Sequence, residues 1–372
     1  MSNPVGGRPD ELGMWPATLA LPDQLVAGAS RAEADLGGWR PPSRVAGPVL
    51  VVGMGGSGMA GDVAAVIASE RAPVPLLTWK TVGLPRWCGP STLVVAISCS
   101  GTTAETLSSA QVAAERGATV VTISGGGTLE ALASADGAAI GLPEGIPMPR
   151  AGLGAMVGAL LVALDRAGLL DDVANDVQEA AQHLLGRRDQ MRNELAPSVA
   201  AAIAGTVPII HGDHPLGATA ALRWKNQVNE NAKLPAFFGA EPEVGHNEAT
   251  GFEALRPGSG QALSLVTLSW PGEDPWVAER ARVSAELARP RLAAAVSVRG
   301  EGTRPLAALL DLVLLGDLVS LELAAAAGID PGPIPVLGEL KRKMAERGAS
   351  SSTPGRAVPG AEPGRGVDST SE

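Results

Sequence analysis

The chain has 372 residues, enough for two ordinary domains, each with a core of its own. Hydrophobic residues make up 45% of it, which excludes global disorder, and aromatics only 3%, so Ala, Val and Leu must do most of the packing. A formal net charge of −10 excludes a general nucleic-acid binder, which needs a basic face, but leaves room for a small, locally favourable anion site.

The N-terminus (Met1 to Trp15) lacks the basic-then-apolar order of a signal peptide. From Gly47 the pattern alternates. Pro48–Gly53 predicts a buried strand, Met59–Ser69 a helix, Val74–Trp79 and Leu93–Ser98 two more strands, Ala104–Arg116 a helix, and Ala118–Ser124 a strand. That alternation is the mark of a parallel sheet covered by helices on both faces. Helices are predicted over Leu153–Ala167 and Val173–Asn193, and a second α/β unit opens with a strand at Val207–Gly212. Its further strands fall at Ala262–Ser269 and Ala293–Val298, with a long helix over Pro305–Ala327. No apolar run reaches membrane-spanning length. The longest, Leu309–Ala327, carries Asp311, Asp317 and Glu322 at helical spacing. The expected division is an N-terminal segment (1–20), a first unit (21–168), a second unit (169–346) and a disordered Ser/Gly/Pro-rich tail (347–372).

Two motifs follow predicted strands of the first unit, where open α/β sheets place their ligands. Gly53-Met54-Gly55-Gly56-Ser57-Gly58 leads into a helix, and its glycines let the backbone approach an anion closely. Gly53, Gly55 and Gly58 also satisfy the dinucleotide pattern GxGxxG. The acidic residue that pattern needs at the end of the next strand is missing, where Thr78-Trp79-Lys80 stands instead. Ser98-Cys99-Ser100-Gly101-Thr102-Thr103 opens the next helix with four hydroxyls in six residues. One or two would suffice as helix caps. Four, opposite a Gly/Ser loop on a neighbouring strand, favour a phosphate monoester.

Gly-Gly-Ser-Gly together with Ser-x-Ser-Gly-x-Thr resembles the sugar-isomerase (SIS) domain, a phosphosugar-binding α/β module. The resemblance implies two SIS-type subdomains, doubly wound and flavodoxin-like, with Gly56, Ser57, Ser98, Ser100 and Thr103 at the phosphate. A third segment narrows it. Leu222-Arg223-Trp224-Lys225-Asn226-Gln227-Val228-Asn229-Glu230-Asn231-Ala232-Lys233, followed by His246-Asn247-Glu248, is similar to the bifunctional phosphoglucose/phosphomannose isomerases. This likeness runs from about residue 20 to 345.

What the resemblance implies is a metal-free, cofactor-free aldose–ketose isomerase. It would interconvert glucose 6-phosphate, and mannose 6-phosphate beside it, with fructose 6-phosphate through a cis-enediolate. Glu230 is then the base that moves the proton between carbons 1 and 2, and His246 opens the sugar ring from the partner subunit of a homodimer. Lys341, eleven residues after Asp330-Pro331, assists ring opening, and Arg150 after Pro149 faces the enediolate oxygens. The residues fit these roles: four scattered histidines offer no zinc motif, and two cysteines, Cys88 and Cys99, no disulfide framework. A reduced, cytoplasmic setting without nucleic-acid or membrane partners is expected. The match departs at Pro331-Gly332-Pro333-Ile334, where related enzymes tend to carry a Thr near the sugar, so the second sugar stays open. The alternatives are a non-catalytic phosphosugar-binding protein and an isomerase for a different phosphosugar.

Overall fold

The structure, a computed structural model, describes residues 9–255 and 263–347. The tail expected beyond residue 347 and the first eight residues lie outside these.

The described chain begins with two helices, α1 (Met14–Leu19) and α2 (Leu21–Leu36), which the sequence reading does not predict. Asp10 caps α1 by accepting from the Met14 and Trp15 N–H groups at 2.6 and 3.0 Å. The first sheet follows: β1 (Val49–Val52), α3 (Gly55–Ala68), β2 (Leu76–Trp79), β3 (Leu93–Ser98), α4 (Ala104–Glu115), β4 (Thr119–Ser124) and β5 (Ala138–Gly141). All neighbours are parallel, in the order β2-β1-β3-β4-β5. The central strands β1, β3 and β4 are buried at every position, as sheets covered on both faces require.

Three helices cross to the second sheet. They are α5 (Leu153–Arg166), α6 (Val173–Gln190) and α7 (Ala196–Ile203), the last two joined by a π turn just ahead of Pro197. Proline's ring crowds the carbonyl four residues back, and the wider turn relieves it. Next come β6 (Val207–Asp213), α8 (Leu216–Glu230), β7 (Phe237–Glu241), α9 (Val244–Gly251), β8 (Leu263–Ser269), α10 (Pro275–Ala288) and β9 (Ala294–Arg299). The order β7-β6-β8-β9, again all parallel, repeats the first sheet's plan without its fifth strand. The helices α11 (Pro305–Ala326) and α12 (Pro335–Glu346) complete the described chain.

One apolar core reaches from Met14 to Ala324 and draws on both sheets. α11 lies inside it, buried all round from Leu306 to Leu321. Helices approach one another through glycine. A Cβ on Gly28 of α2 would fall 2.1 Å from the Ala155 carbonyl oxygen of α5, and one on Gly158 equally close to that of Leu25. The buried face of α2 is Leu21, Pro22, Leu25, Gly28, Ala29, Ala32 and Leu36, in which small residues hold the middle of the stripe. No helix among the described residues is long and apolar enough to cross a membrane.

Candidate active site

β1 and β3 are adjacent, and their chains leave in opposite directions to β2 and β4, which opens a crevice at their carboxyl ends. Both hydroxyl-bearing loops meet there. The glycine motif is not a loop before a helix, as the sequence suggested; α3 already begins at Gly55. Glycine is a poor helix former, but at position 56 this turn has no space for a side chain. A Cβ on Gly56 would stand 2.8 Å from the Pro149 carbonyl oxygen and 2.9 Å from the Arg150 backbone. Tertiary approach overrides propensity, and it brings the cradle up against Arg150.

Ser57 is buried in that first turn, its Oγ accepting from the Cys99 N–H at 3.3 Å. This bond ties the α3 turn to the loop after β3. Ser98 Oγ lies 2.9 Å from Thr103 Oγ1 and 3.5 Å from Ser100 Oγ. Ser100 Oγ in turn accepts from the Thr102 N–H and hydroxyl, at 3.3 and 3.1 Å. Ser98, Ser100 and Thr103 thus form one hydroxyl cluster with Thr102 ahead of α4, and Ser57 in the first turn of α3 is tied to the same loop through the Cys99 N–H.

Arg150 and Glu230 meet beside it. Arg150 sits in a 3-10 turn (Pro149–Gly152) and is 2% exposed; Glu230 ends α8 and is about one-third exposed. Arg150 Nε donates to Asn231 Oδ1 at 2.8 Å, and Nη2 to the Pro331 and Gly332 carbonyls at 2.6 and 2.9 Å. Nη1 has no hydrogen-bond partner and stands 3.5 Å from Glu230 Oε2. Burial pulls the guanidinium below the usual arginine value; the pull of Glu230 opposes this, the nearby Arg223 adds to it, and Asp317 opposes it. A buried cation with one free donor, facing a carboxylate, is fit to receive an oxygen on which charge develops.

Several residues that hold this arrangement carry no assignment from the sequence reading. Arg223 closes on Asp317 through two bonds of 2.8 and 2.6 Å and donates to the Arg150 carbonyl at 2.7 Å. Asn231 Nδ2 reaches Ser320 Oγ at 2.9 Å. Two signals pointed to the pair. Arg223 lies seven residues before Glu230, on the same helical face, and Asp317 interrupts an otherwise apolar helix, where a charge needs a partner.

His246 and Lys341 are not brought to Glu230 within the chain. His246 is exposed on α9, beyond the edge strand β7, and Lys341 is exposed on α12. No hydrogen bond or ion pair among the described residues joins either to the cradle, Glu230 or Arg150. His211 and His183 have structural partners. His211 Nε2 is 3.0 Å from Glu248 Oε2, and His183 Nε2 is 2.8 Å from the buried Asp311. The divergent stretch forms a wall of the site, since Pro331 and Gly332 give their carbonyls to Arg150. The N-terminus braces it: Asp330 accepts from the Glu11 N–H at 3.0 Å, and a Cβ on Gly332 would meet Leu12 at 2.9 Å.

Comparison with known proteins identifies the family. The family described as "Bacterial phospho-glucose isomerase C-terminal SIS domain" matches residues 192–344. A bifunctional phosphoglucose/phosphomannose isomerase of Caldicellulosiruptor bescii is 32% identical over 80% of this chain and 89% of its own. A D-glucosamine-6-phosphate 4-epimerase of Sulfolobus acidocaldarius is 30% identical, over 67% of this chain and 77% of its own. Among solved structures, the C-terminal domain of glucosamine-fructose-6-phosphate aminotransferase from Francisella tularensis shares the fold. Its TM-score is 0.66 at 14% identity, over 88% of this chain and 99% of that one. With its two parallel sheets and a sequence match along most of its length, the chain belongs to the bifunctional phosphoglucose/phosphomannose isomerase family of SIS proteins.

Proposed function

We propose that the protein isomerises glucose 6-phosphate, and mannose 6-phosphate, to and from fructose 6-phosphate. The observation that carries this reading is the Glu230 carboxylate 3.5 Å from the free Nη1 of buried Arg150, beside a hydroxyl cradle. A phosphosugar sensor needs the cradle alone. Isomerisation needs in addition one carboxylate able to reach two adjacent carbons and a fixed cation for the enediolate oxygen.

In this reading Gly56, Ser57, Ser98, Ser100 and Thr103 hold the phosphate and so set the distance of carbons 1 and 2 from Glu230. Glu230 takes the proton from carbon 2 of the open aldose. The freed electron pair becomes the carbon 1–carbon 2 double bond, and the carbonyl electrons move onto oxygen 1. Arg150 Nη1 donates a hydrogen bond to that oxygen, the hydroxyl proton of oxygen 2 passes to oxygen 1, and as Glu230 returns its proton to carbon 1 the electrons left on oxygen 2 form the ketose carbonyl at carbon 2. For both epimers to use one base, the enediolate turns about the carbon 2–carbon 3 bond.

Ring opening falls to His246 of a second copy of the chain, with Lys341 assisting. Support for the homodimer comes from exposure. His246 is accessible on α9, and exposed apolar residues flank it on β7 (Phe237, 59%; Phe238, 41%). The apolar residues of α12 (Val336, Leu337, Leu340, Met344) are likewise exposed. The two unpaired cysteines, Cys88 and Cys99, support a reduced, cytoplasmic setting.

Coupled assays with glucose, mannose and amino-sugar 6-phosphates test the reading, with Glu230→Gln alongside. Wild type is expected to convert the glucose and mannose esters. The variant should lose about 1,000-fold or more in kcat while still binding substrate. Near-normal turnover by Glu230→Gln would refute the mechanism, and no conversion of any ester by wild type would leave a phosphosugar-binding protein.

A further inference from the structure

Lys233 stands where the backbone favours glycine. It follows the end of α8 with φ +57°, in the left-handed region that side-chain-bearing residues rarely adopt. There its ammonium donates to the Glu230 carbonyl and, at 3.2 Å, to the Pro331 carbonyl. The Pro331 oxygen also accepts from Arg150 Nη2 at 2.6 Å. A shared acceptor places the two cationic nitrogens within about 6 Å of each other.

We propose that Lys233 is a catalytic residue of this site, a second cation that with Arg150 binds the enediolate oxygens. Two of its three N–H donors are used by backbone carbonyls, which leaves one for substrate. The proposal rests on the isomerase reading above.

The electrostatics agree. Burial, and after it the Arg150 guanidinium, pulls Lys233 below the ordinary lysine value, against Glu230 and Asp330. Two like charges held close by backbone carbonyls are the arrangement that a doubly oxygenated anion relieves. As Glu230 takes the carbon 2 proton and negative charge gathers on oxygen 1, ammonium and guanidinium lie on hand for the two neighbouring oxygens. Lys341, exposed as Lys233 is, differs in lying on α12 with no bond to Glu230 among the described residues.

The competing role for Lys233 is to cap α8, since a lysine at a helix C-terminus often satisfies a terminal carbonyl. Lys233→Gly separates the two. Glycine takes the left-handed backbone without strain, so the fold is kept and the unfolding temperature stays within about 3 °C. A catalytic ammonium predicts a fall in kcat of about 100-fold with little change in KM. If Lys233→Gly keeps wild-type kcat, the ammonium is only a cap and the proposal is overturned. Should the glycine chain unfold, Lys233→Asn, which also tolerates this backbone, replaces it in the same measurements. A wild-type chain that converts no hexose phosphate removes the isomerase reading itself, and the role of Lys233 with it.

Discussion

Arg223 donates through Nη2 to the backbone carbonyl of Arg150 at 2.7 Å, while Asp317 holds the same guanidinium at 2.6 and 2.8 Å. All three residues are buried. The cation facing Glu230 is therefore anchored through its backbone by a second arginine, which is in turn neutralised from α11, 94 residues further along the chain. Burial raises the Asp317 carboxyl, and the adjacent Arg223 is the main force holding it down.

Breaking that pair exposes its cost. Arg223→Met leaves Asp317 buried without its cation and should lower stability by about 3–5 kcal/mol in urea unfolding. Arg223→Met with Asp317→Leu should cost less than the first change alone, because neither charge is then stranded. A single variant within 1 kcal/mol of wild type, about the value of an exposed pair, would contradict the burial argument.

Sharing of His246 between subunits can be read by complementation. Glu230→Gln and His246→Ala chains, each inactive alone, are refolded together. If the histidine crosses the interface, half of the mixed dimers' sites contain both native residues, and about a quarter of wild-type activity returns. No recovery would place His246 and Glu230 in the same chain's site.

Glu273, in the turn after β8, is half-buried and pushed up to about 7, first by burial and then by Asp213, with Glu241 adding and the Trp270 backbone and Arg299 opposing. The folded form therefore holds this proton where the unfolded chain, with its ordinary value of 4.5, has released it. Stability from this group is present below pH 4.5 and is lost as pH rises through about 7. Glu273→Gln should raise the unfolding temperature at pH 8 and leave it nearly unchanged at pH 4. Equal shifts at both pH values would remove the carboxylate as the cause.

The glycine seam between α2 and α5 makes an opposite pair of predictions. Gly158→Ala brings a methyl to 2.1 Å from the Leu25 carbonyl oxygen and should destabilise by about 1–3 kcal/mol. Gly186→Ala, in α6 with nothing within 4 Å, should stabilise by about 0.5–1 kcal/mol from helix propensity alone. Thermal melts of the two variants compare packing with propensity directly. A Gly158→Ala chain as stable as wild type would mean the seam opens freely.

Much of the architecture was legible because local pattern and burial coincide. β3 has the predicted ends; β1 and β9 differ from prediction by one residue at each end, β4, β6 and β8 by one residue at a single end, and β2 starts two residues late. The strands that escaped prediction, β5 (Ala138–Gly141) and β7 (Phe237–Glu241), lie at sheet edges, where they are short and partly exposed. The hydroxyl cradle was readable since Ser98, Ser100 and Thr103 lie within six residues.

What the sequence determined by itself, then, is the alternation that builds two parallel sheets and the two short motifs that meet at the first crevice. Local spacing decides these, because strand, turn and helix each answer to residues a few places apart. The centre around Glu230 was decided only in three dimensions. Arg150, Arg223, Asn231, Asp317 and Pro331 converge there from separate elements, and the free Nη1 of Arg150 depends on every other donor of that guanidinium being occupied. No spacing along the chain encodes such a count, since burial supplies the partners and withholds the water that would otherwise take their place.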